Sequence, residues 1–508
     1  MKSRMEMSLK NIFWSYFSMI ITVLLQFISR TVFIYTLGEN YLGINGLFSN
    51  ILGVLSFAEL GIGTAINFSL YKPVANGDIE KVKAYMYYYK WAYRIISLIV
   101  FALGMIIFPF LNHLVTDPGN VGDIKVYYLI YLFNTVTSYL VSYKFSLTNA
   151  EQKNYVFTNF NLITTVITTV CQMIFLFRWK SFLGYLLIAS IIGVVQKIFV
   201  WLYFDKKYTF LKEKNVQKLS ENERSVLKRK VKALVIHKVG DVSVHQTDNI
   251  IISAFVSTVM VGVISNYTLI INTVNTCINV LFNSVIGSLG NLSATTSKEH
   301  QYGVFKKYRF LGFWLFGFSA IALSILLTPF VQLWIGKKMV VNDFIINLIL
   351  IDFYMIGQRI CLNNFKSAAG VFEEDKYVAL LQAVVNLVTS IALARIIGIP
   401  GVYIGTLIQG IICTLLKPIL TFKTLFDKAW IEYFKESFKY IGVLCIAYIM
   451  CALLKQVLLP TVTVARFGLM FIGVLIIPNI VFYIIFHNSA EFCYFTSHLR
   501  NIKKKKQH

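Results

Sequence analysis

Runs of about twenty consecutive apolar residues recur about fourteen times along this 508-residue chain, and that repetition leaves little choice of fold. A helix needs about 20 such residues to cross a bilayer. Inside hydrocarbon every backbone N–H and C=O must find its partner within the helix or within a closed barrel. Barrel strands alternate apolar and polar residues, whereas these runs are continuous. The expected class is therefore an all-α integral membrane protein. Composition agrees, with 57% hydrophobic and 14% charged residues, against about 25% charged in soluble domains. The net charge of +24 reads as membrane topology and not as nucleic-acid binding, because no soluble domain is expected to do the binding. With the N-terminus in the cytoplasm, most Lys and Arg fall on cytoplasmic segments and few on outer loops. Both termini are thus expected on the cytoplasmic side. The first apolar run is too long for a cleaved signal and contains Arg30. The seven cysteines are scattered with no CxxC pair, so neither disulfides nor a zinc site is expected.

One stretch, 205–232, is dense in both charge signs and divides the spans into six before and eight after. The expected organisation is a six-helix bundle over 1–204, this cytoplasmic linker, and a second six-helix bundle over 233–424. An interfacial helix with two extra spans (425–486) and a basic cytoplasmic tail (487–508) follow. Phe426, Trp430, Phe434 and Phe438 at steps of four predict the interfacial helix. Lys72-Pro73 and Ile399-Pro400 are read as punctuation between spans. YLGINGLFSNIL (41–52) and MVGVISNYTLII (260–271) place Gly43 against Gly262 at an offset of 219 residues. That similarity suggests two structural repeats with the substrate site between them, as in many transporters.

A charge within a span is expensive and marks a functional candidate. Arg30, Glu59, Asp248, Asp352 and Arg359 are such charges, and Asp352 and Arg359, seven apart, share a helix face. His237, Asp241, His245 and Asp248 form a polar stripe on one face. A metal bound by His237, Asp241 and His245 alone is disfavoured, since each step of four separates ligands by about 6 Å of rise. Lys197, a turn or two from the cytoplasmic end of its span, is expected to snorkel. Asn272, Asn275, Asn279 and Asn283 form an amide ladder suited either to sugar hydroxyls or to helix–helix hydrogen bonds. No catalytic constellation, phosphate loop or cofactor motif appears, so transport is expected and an enzyme is not.

The stretch RTVFIYTLGENYLGINGLFSNILGVLSFAELGIGTAINFSLYKPVANGDIEKVKAYMYYYKWAYR (30–94) resembles the Wzx-like polysaccharide flippases of Gram-positive bacteria. These belong to the multidrug/oligosaccharidyl-lipid/polysaccharide exporter superfamily. IHKVGDVSVHQTDNIIISAF (236–255), SNYTLI (265–270) and FKSAAGVFEEDKY (365–377) carry the resemblance further along the chain. It implies two six-helix bundles in a V with two extra C-terminal spans. It also implies export of an undecaprenyl-diphosphate-linked oligosaccharide repeat unit to the outer leaflet by alternating access, for capsule or exopolysaccharide assembly beside a polysaccharide polymerase. A diphosphate calls for cations, and Arg30 and Arg359 suit it; Asn272, Asn275 and Asn279 suit the sugar. Glu59, Asp241, His245, Asp248 and Asp352 are the expected coupling or gating groups, for H+ or Na+. A cation-coupled multidrug exporter and a flippase for teichoic-acid precursors are the alternatives.

Overall fold

The computed structural model describes residues 4–505 except 60–61, 117–118, 120, 152, 214–215, 218, 226, 228–245 and 372–373. Among the described residues nineteen α-helices have defined bounds, and eleven helices are long and apolar enough to cross a membrane. The chain is a multi-pass, helical membrane protein. Three of the fourteen expected spans are not among the eleven. The second is interrupted: α2 (Glu39–Leu55) passes into a 3-10 turn (Ser56–Glu59) before α3 (Ile62–Asn76). The fourth exists as α6 (Ile124–Ser142), whose tyrosines, threonines and Asn134 dilute its apolarity. Much of the seventh lies outside the described residues, and α10 (Thr247–Phe255) is its described part.

Contacts group the chain into two units, Met1–Gly262 and Val263–His508. The expected repeat boundary at 233 is a boundary of sequence. The contact boundary lies later because α10 and the first turn of α11 (Thr258–Ser284) are tied to the first unit. Thr258 donates its N–H to Thr116 O (3.0 Å), Thr116 N–H donates to Thr258 Oγ1 (3.0 Å), and Ser253 Oγ donates to Leu114 O (2.7 Å).

The first unit contains α1 (Arg4–Leu37), α2, α3, α4 (Ile79–Ile107), α5 (Leu111–Leu114), α6, α7 (Phe145–Ala150), α8 (Tyr155–Trp179) and α9 (Phe182–Lys207). Pairings of α1 with α8, α8 with α9, α4 with α6 and α6 with α9 hold it together. Helix starts follow the local sequence. Asp78 and Asp123 accept the first free N–H groups of α4 and α6, from Lys81 (3.1 Å) and Lys125 (2.9 Å). Between α1 and α2 the chain turns at Gly38, whose φ of 86° a side chain would disfavour. Pro73 is not a boundary. It lies inside α3, one turn before the end.

The second unit continues with α12 (Ile286–Thr295), α13 (Lys298–Ile335), α14 (Asp343–Ala369), α15 (Lys376–Ile397), α16 (Ile399–Phe426), α17 (Trp430–Leu458), α18 (Val464–Phe486) and α19 (Ala490–Lys505). The expected interfacial helix over 425–441 is not a separate element. The helix breaks at Asp427, with φ 53°, and 430–441 then runs without interruption into the 29-residue α17. Its inward face is Tyr433 and Tyr440, not the phenylalanine series; Phe438 is 72% exposed. The reason lies across the contact. Arg309 of α13, fully buried, stacks 3.6 Å from the Tyr433 ring centre and donates to Tyr433 O (3.0 Å) and Glu436 (3.2 Å). Around it Phe310, Phe313, Tyr440, Phe482 and Phe486 close the core that joins α17 and α18 to α13.

Candidate functional site

In the first unit, α1 lies on α8, and α9 brings Tyr185 against it. The Tyr185 ring meets Phe33 edge-on at 5.2 Å and its hydroxyl bonds Ser29. Arg30, half-buried, thereby lies within electrostatic reach of the Tyr185 phenol. A guanidinium beside a phenol and a serine can bind an oxyanion at its fork while hydroxyls bond a neighbouring sugar.

Glu59 occupies the 3-10 turn that interrupts the second span. Its Oε1 accepts a short hydrogen bond from Tyr93 Oη, and Tyr89 Oη donates to Tyr93 Oη at 3.2 Å. Gly63 makes room for this group: a Cβ there would stand 2.7 Å from the Tyr89 hydroxyl and 2.8 Å from that of Tyr93. The carboxylate and the two phenols thus form one hydrogen-bonded chain beside the interruption of the span.

Gly43 and Gly262, matched by the repeat, are in contact. A Cβ on Gly43 would lie 2.1 Å from Thr258 O, and one on Gly262 would lie 2.8 Å from Glu39 O and 2.6 Å from Gly43 N. Thr258 follows Glu39 by the same 219 residues that separate the glycines. Each glycine therefore faces the carbonyl equivalent to the one its counterpart faces. This is the reciprocal pattern of a two-fold contact, made here by α2 and the first turn of α11. Asp248 lies nearby in sequence, in the first turn of α10 and half-buried. Asp241 and His245, with His237, lie outside the described residues.

In the second unit, Asp352 and Arg359 do share a face, turned toward α16. A Cβ on Gly410 would be 3.0 Å from Asp352 Oδ1 and 3.7 Å from Arg359 Nη1. Arg359 is 8% exposed and donates through Nη1 to Gly410 O (2.7 Å) and Thr414 Oγ1 (2.9 Å). It is thus a packed cation of this unit, held to backbone. The amide ladder is partial: Asn279 Nδ2 donates to Asn275 Oδ1 at 2.8 Å, while Asn272 is exposed. Lys197 does not snorkel. It turns inward and donates to Thr137 Oγ1 (2.6 Å) and Asn134 O (3.3 Å) of α6, because an ammonium can bond there without leaving the span.

Three buried cation–carboxylate pairs escape a reading by hydropathy: Lys144–Asp205 (2.5 Å), Lys366–Asp375 (2.5 Å) and Arg309–Glu436 (3.2 Å). In sequence these cations fall in charged segments and look like loop residues. Among the described residues no group of three His, Cys, Asp or Glu side chains could hold a metal ion.

The family described as polysaccharide biosynthesis protein matches residues 8–288, more than half of the chain. No curated protein matches it. Among solved structures, the lipid II flippase MurJ in an inward closed conformation is similar at 15% identity and TM-score 0.65, over 94% of this chain and 99% of that one. An inward-facing multidrug resistance MATE family transporter of the MOP superfamily is similar at 13% identity and TM-score 0.59, over 78% and 92%. The Vibrio cholerae MATE transporter VcmN in its bent form is similar at 17% identity and TM-score 0.55, over 83% and 97%. At identities this low the likeness shows the fold alone. With the family match over 8–288, the chain belongs to the polysaccharide biosynthesis protein family, and its fold is MurJ- and MATE-like.

Proposed function

We propose that the chain is a flippase that carries an undecaprenyl-diphosphate-linked oligosaccharide from the inner to the outer leaflet, by alternating access, for surface polysaccharide assembly. The observation that carries this reading is Arg30, a half-buried guanidinium in the first spanning helix, beside Tyr185 and Ser29. A diphosphate is doubly anionic and matches the guanidinium fork. Arg359, with Nη1 committed to Gly410 and Thr414, serves as a fixed positive anchor next to Asp352. Asn272, Asn275 and Asn279 offer amides to sugar hydroxyls. Glu59, joined to Tyr93 in a broken span, is the proton-coupling group of this reading. A polysaccharide polymerase consumes the product on the outer face.

The test is a strain whose sole copy carries Arg30→Ala, compared with Arg30→Lys. Loss of surface polymer, with the lipid-linked intermediate accumulating on the inner leaflet, supports the reading, and the sugar on that intermediate identifies the substrate. Normal polymer with increased drug sensitivity instead selects the cation-coupled multidrug exporter.

A further inference from the structure

A chamber of about 500 Å³ lies in the first unit, where α4, the turn after α6, the end of α9 and the segment following α9 converge. Its size is that of a ligand site. Its polar lining is Lys83, Lys90, Lys144 and Lys212 against Asp205 and Glu213, four ammonium groups facing two carboxylates. Two of the lysines are matched. Lys144, 2% exposed, bonds Asp205 at 2.5 Å and the Trp201 carbonyl at 3.3 Å. Lys83, 8% exposed, bonds Glu213 at 2.6 Å and Glu80 at 2.7 Å. Lys90 and Lys212 have no acidic partner among the described residues, yet both lie within electrostatic reach of Lys144. Burial holds the Lys144 ammonium below its ordinary pKa against the opposing pull of Asp205, and Lys90 and Lys212 add to the lowering. The arrangement gathers four ammonium groups around a void against three carboxylates, Asp205, Glu213 and Glu80, and two of the four lysines stand outside the ion pairs.

Depth in the membrane says what can reach it. At 1.5 Å per residue α4 is about 43 Å long, some 13 Å more than the ~30 Å hydrocarbon core. Lys90, about 16 Å from the start of α4, therefore falls near the headgroup level of the basic face. Trp201 and Tyr87, which also line the chamber, are 52% and 45% exposed, as aromatic residues at that level commonly are. The chamber thus opens toward both headgroups and water. Its remaining wall is a strap, the 3-10 turn Thr209–Lys212 and Glu213. That strap already supplies one anion, the Glu213 carboxylate, to Lys83.

We propose that this chamber is a phosphate-binding site on the basic membrane face, outside the path through Arg30, and that its ligand clamps the 209–213 strap onto α4. Lysines bind phosphate as point charges, and basic pockets between spanning helices hold anionic headgroups. The phosphate is either the headgroup of an anionic phospholipid, entering past Trp201 and Tyr87, or a free phosphate from water. Because the strap begins the connection toward the second unit's sequence, occupancy of the site sets how firmly that connection is anchored.

The experiment uses the purified full chain in nanodiscs of phosphatidylcholine alone, of phosphatidylcholine with phosphatidylglycerol, and of phosphatidylcholine with added inorganic phosphate. Amide exchange over 209–213 is read in the wild type, in Lys90→Gln/Lys212→Gln and in Lys90→Arg/Lys212→Arg. Each variant is compared with itself across the three conditions. Slowing by about fivefold or more in the wild type and the Arg variant, absent from the Gln variant, supports the site. Slowing with phosphatidylglycerol alone assigns the headgroup; equal slowing with inorganic phosphate assigns the free anion. No slowing in the wild type, or equal slowing in the Gln variant, overturns the proposal. The Arg30 experiment does not depend on this result.

Discussion

Replacing Gly43 by alanine tests the crossing of α2 and α11. The new Cβ would lie 2.1 Å from Thr258 O and 2.8 Å from Thr258 C, where ordinary contact begins at 3.4 Å. Both neighbours are backbone, so no rotamer change relieves the clash, and the helices must part by about 1.3 Å. Overpacking of this kind costs about 1–3 kcal/mol. The same free energy favours any conformer in which the two helices stand apart, by a factor of about 5–150. Val261, one residue before Gly262 and fully buried, reports that opening when replaced by cysteine. Its maleimide labelling rate follows the open population if opening and closing are fast. Gly43→Ala should raise the Val261→Cys rate by the factor above, and Gly262→Ala, pressed against Gly43 N and Glu39 O, should act in the same sense. The double variant should cost less than the two singles together, since one separation relieves both clashes. An unchanged labelling rate in folded Gly43→Ala protein refutes the reasoning.

Three more outcomes are expected. Asp375→Asn leaves the buried Lys366 ammonium unmatched and should cost about 3–5 kcal/mol, read as a lowered unfolding midpoint; Lys366→Met/Asp375→Leu should recover much of it, and no recovery contradicts the pairing. Arg309→Met should loosen α17 and α18, so that protease cuts within 427–429 faster than in the wild type while helices α15 and α16 keep their exchange protection; equal cutting rates count against the anchor. Glu59→Gln keeps an acceptor for Tyr93 but removes the charge, so on the proposed reading transport should fall with the fold intact; unchanged transport eliminates Glu59 as the coupling group.

Hydropathy makes most of the fold legible, because twenty apolar residues in a row admit one solution in hydrocarbon. It fails where a span is not a plain helix. FAELGIG is apolar enough to extend a helix, yet the chain unwinds at Ser56–Glu59, where Glu59 meets Tyr93 from a helix distant in sequence. Charge is harder still. Lys144, Lys197 and Arg309 fall in stretches that count as loops or helix ends, and only their partners, Asp205, Thr137 and Glu436, reveal that they face inward. The phenylalanine series around 426–438 has helical spacing, but a spacing of four does not say which face is buried. Tyr433 and Tyr440 win that face because Arg309 stacks on them. The two glycines suggest a repeat, but their mutual contact is not legible in the sequence, since an offset relates positions without saying whether they touch.

Where Gly43 meets Thr258 and Gly262 meets Glu39, the crossing of α2 and α11 is main chain on both sides. Glycine lets the two backbones approach this closely, and the contact there is one of packing. Beside them the buried Val261 side chain sits over Gly46, so parting the helices also means withdrawing that side chain. A crossing built this way has no slack, so one added methyl group at either glycine is enough to oppose it.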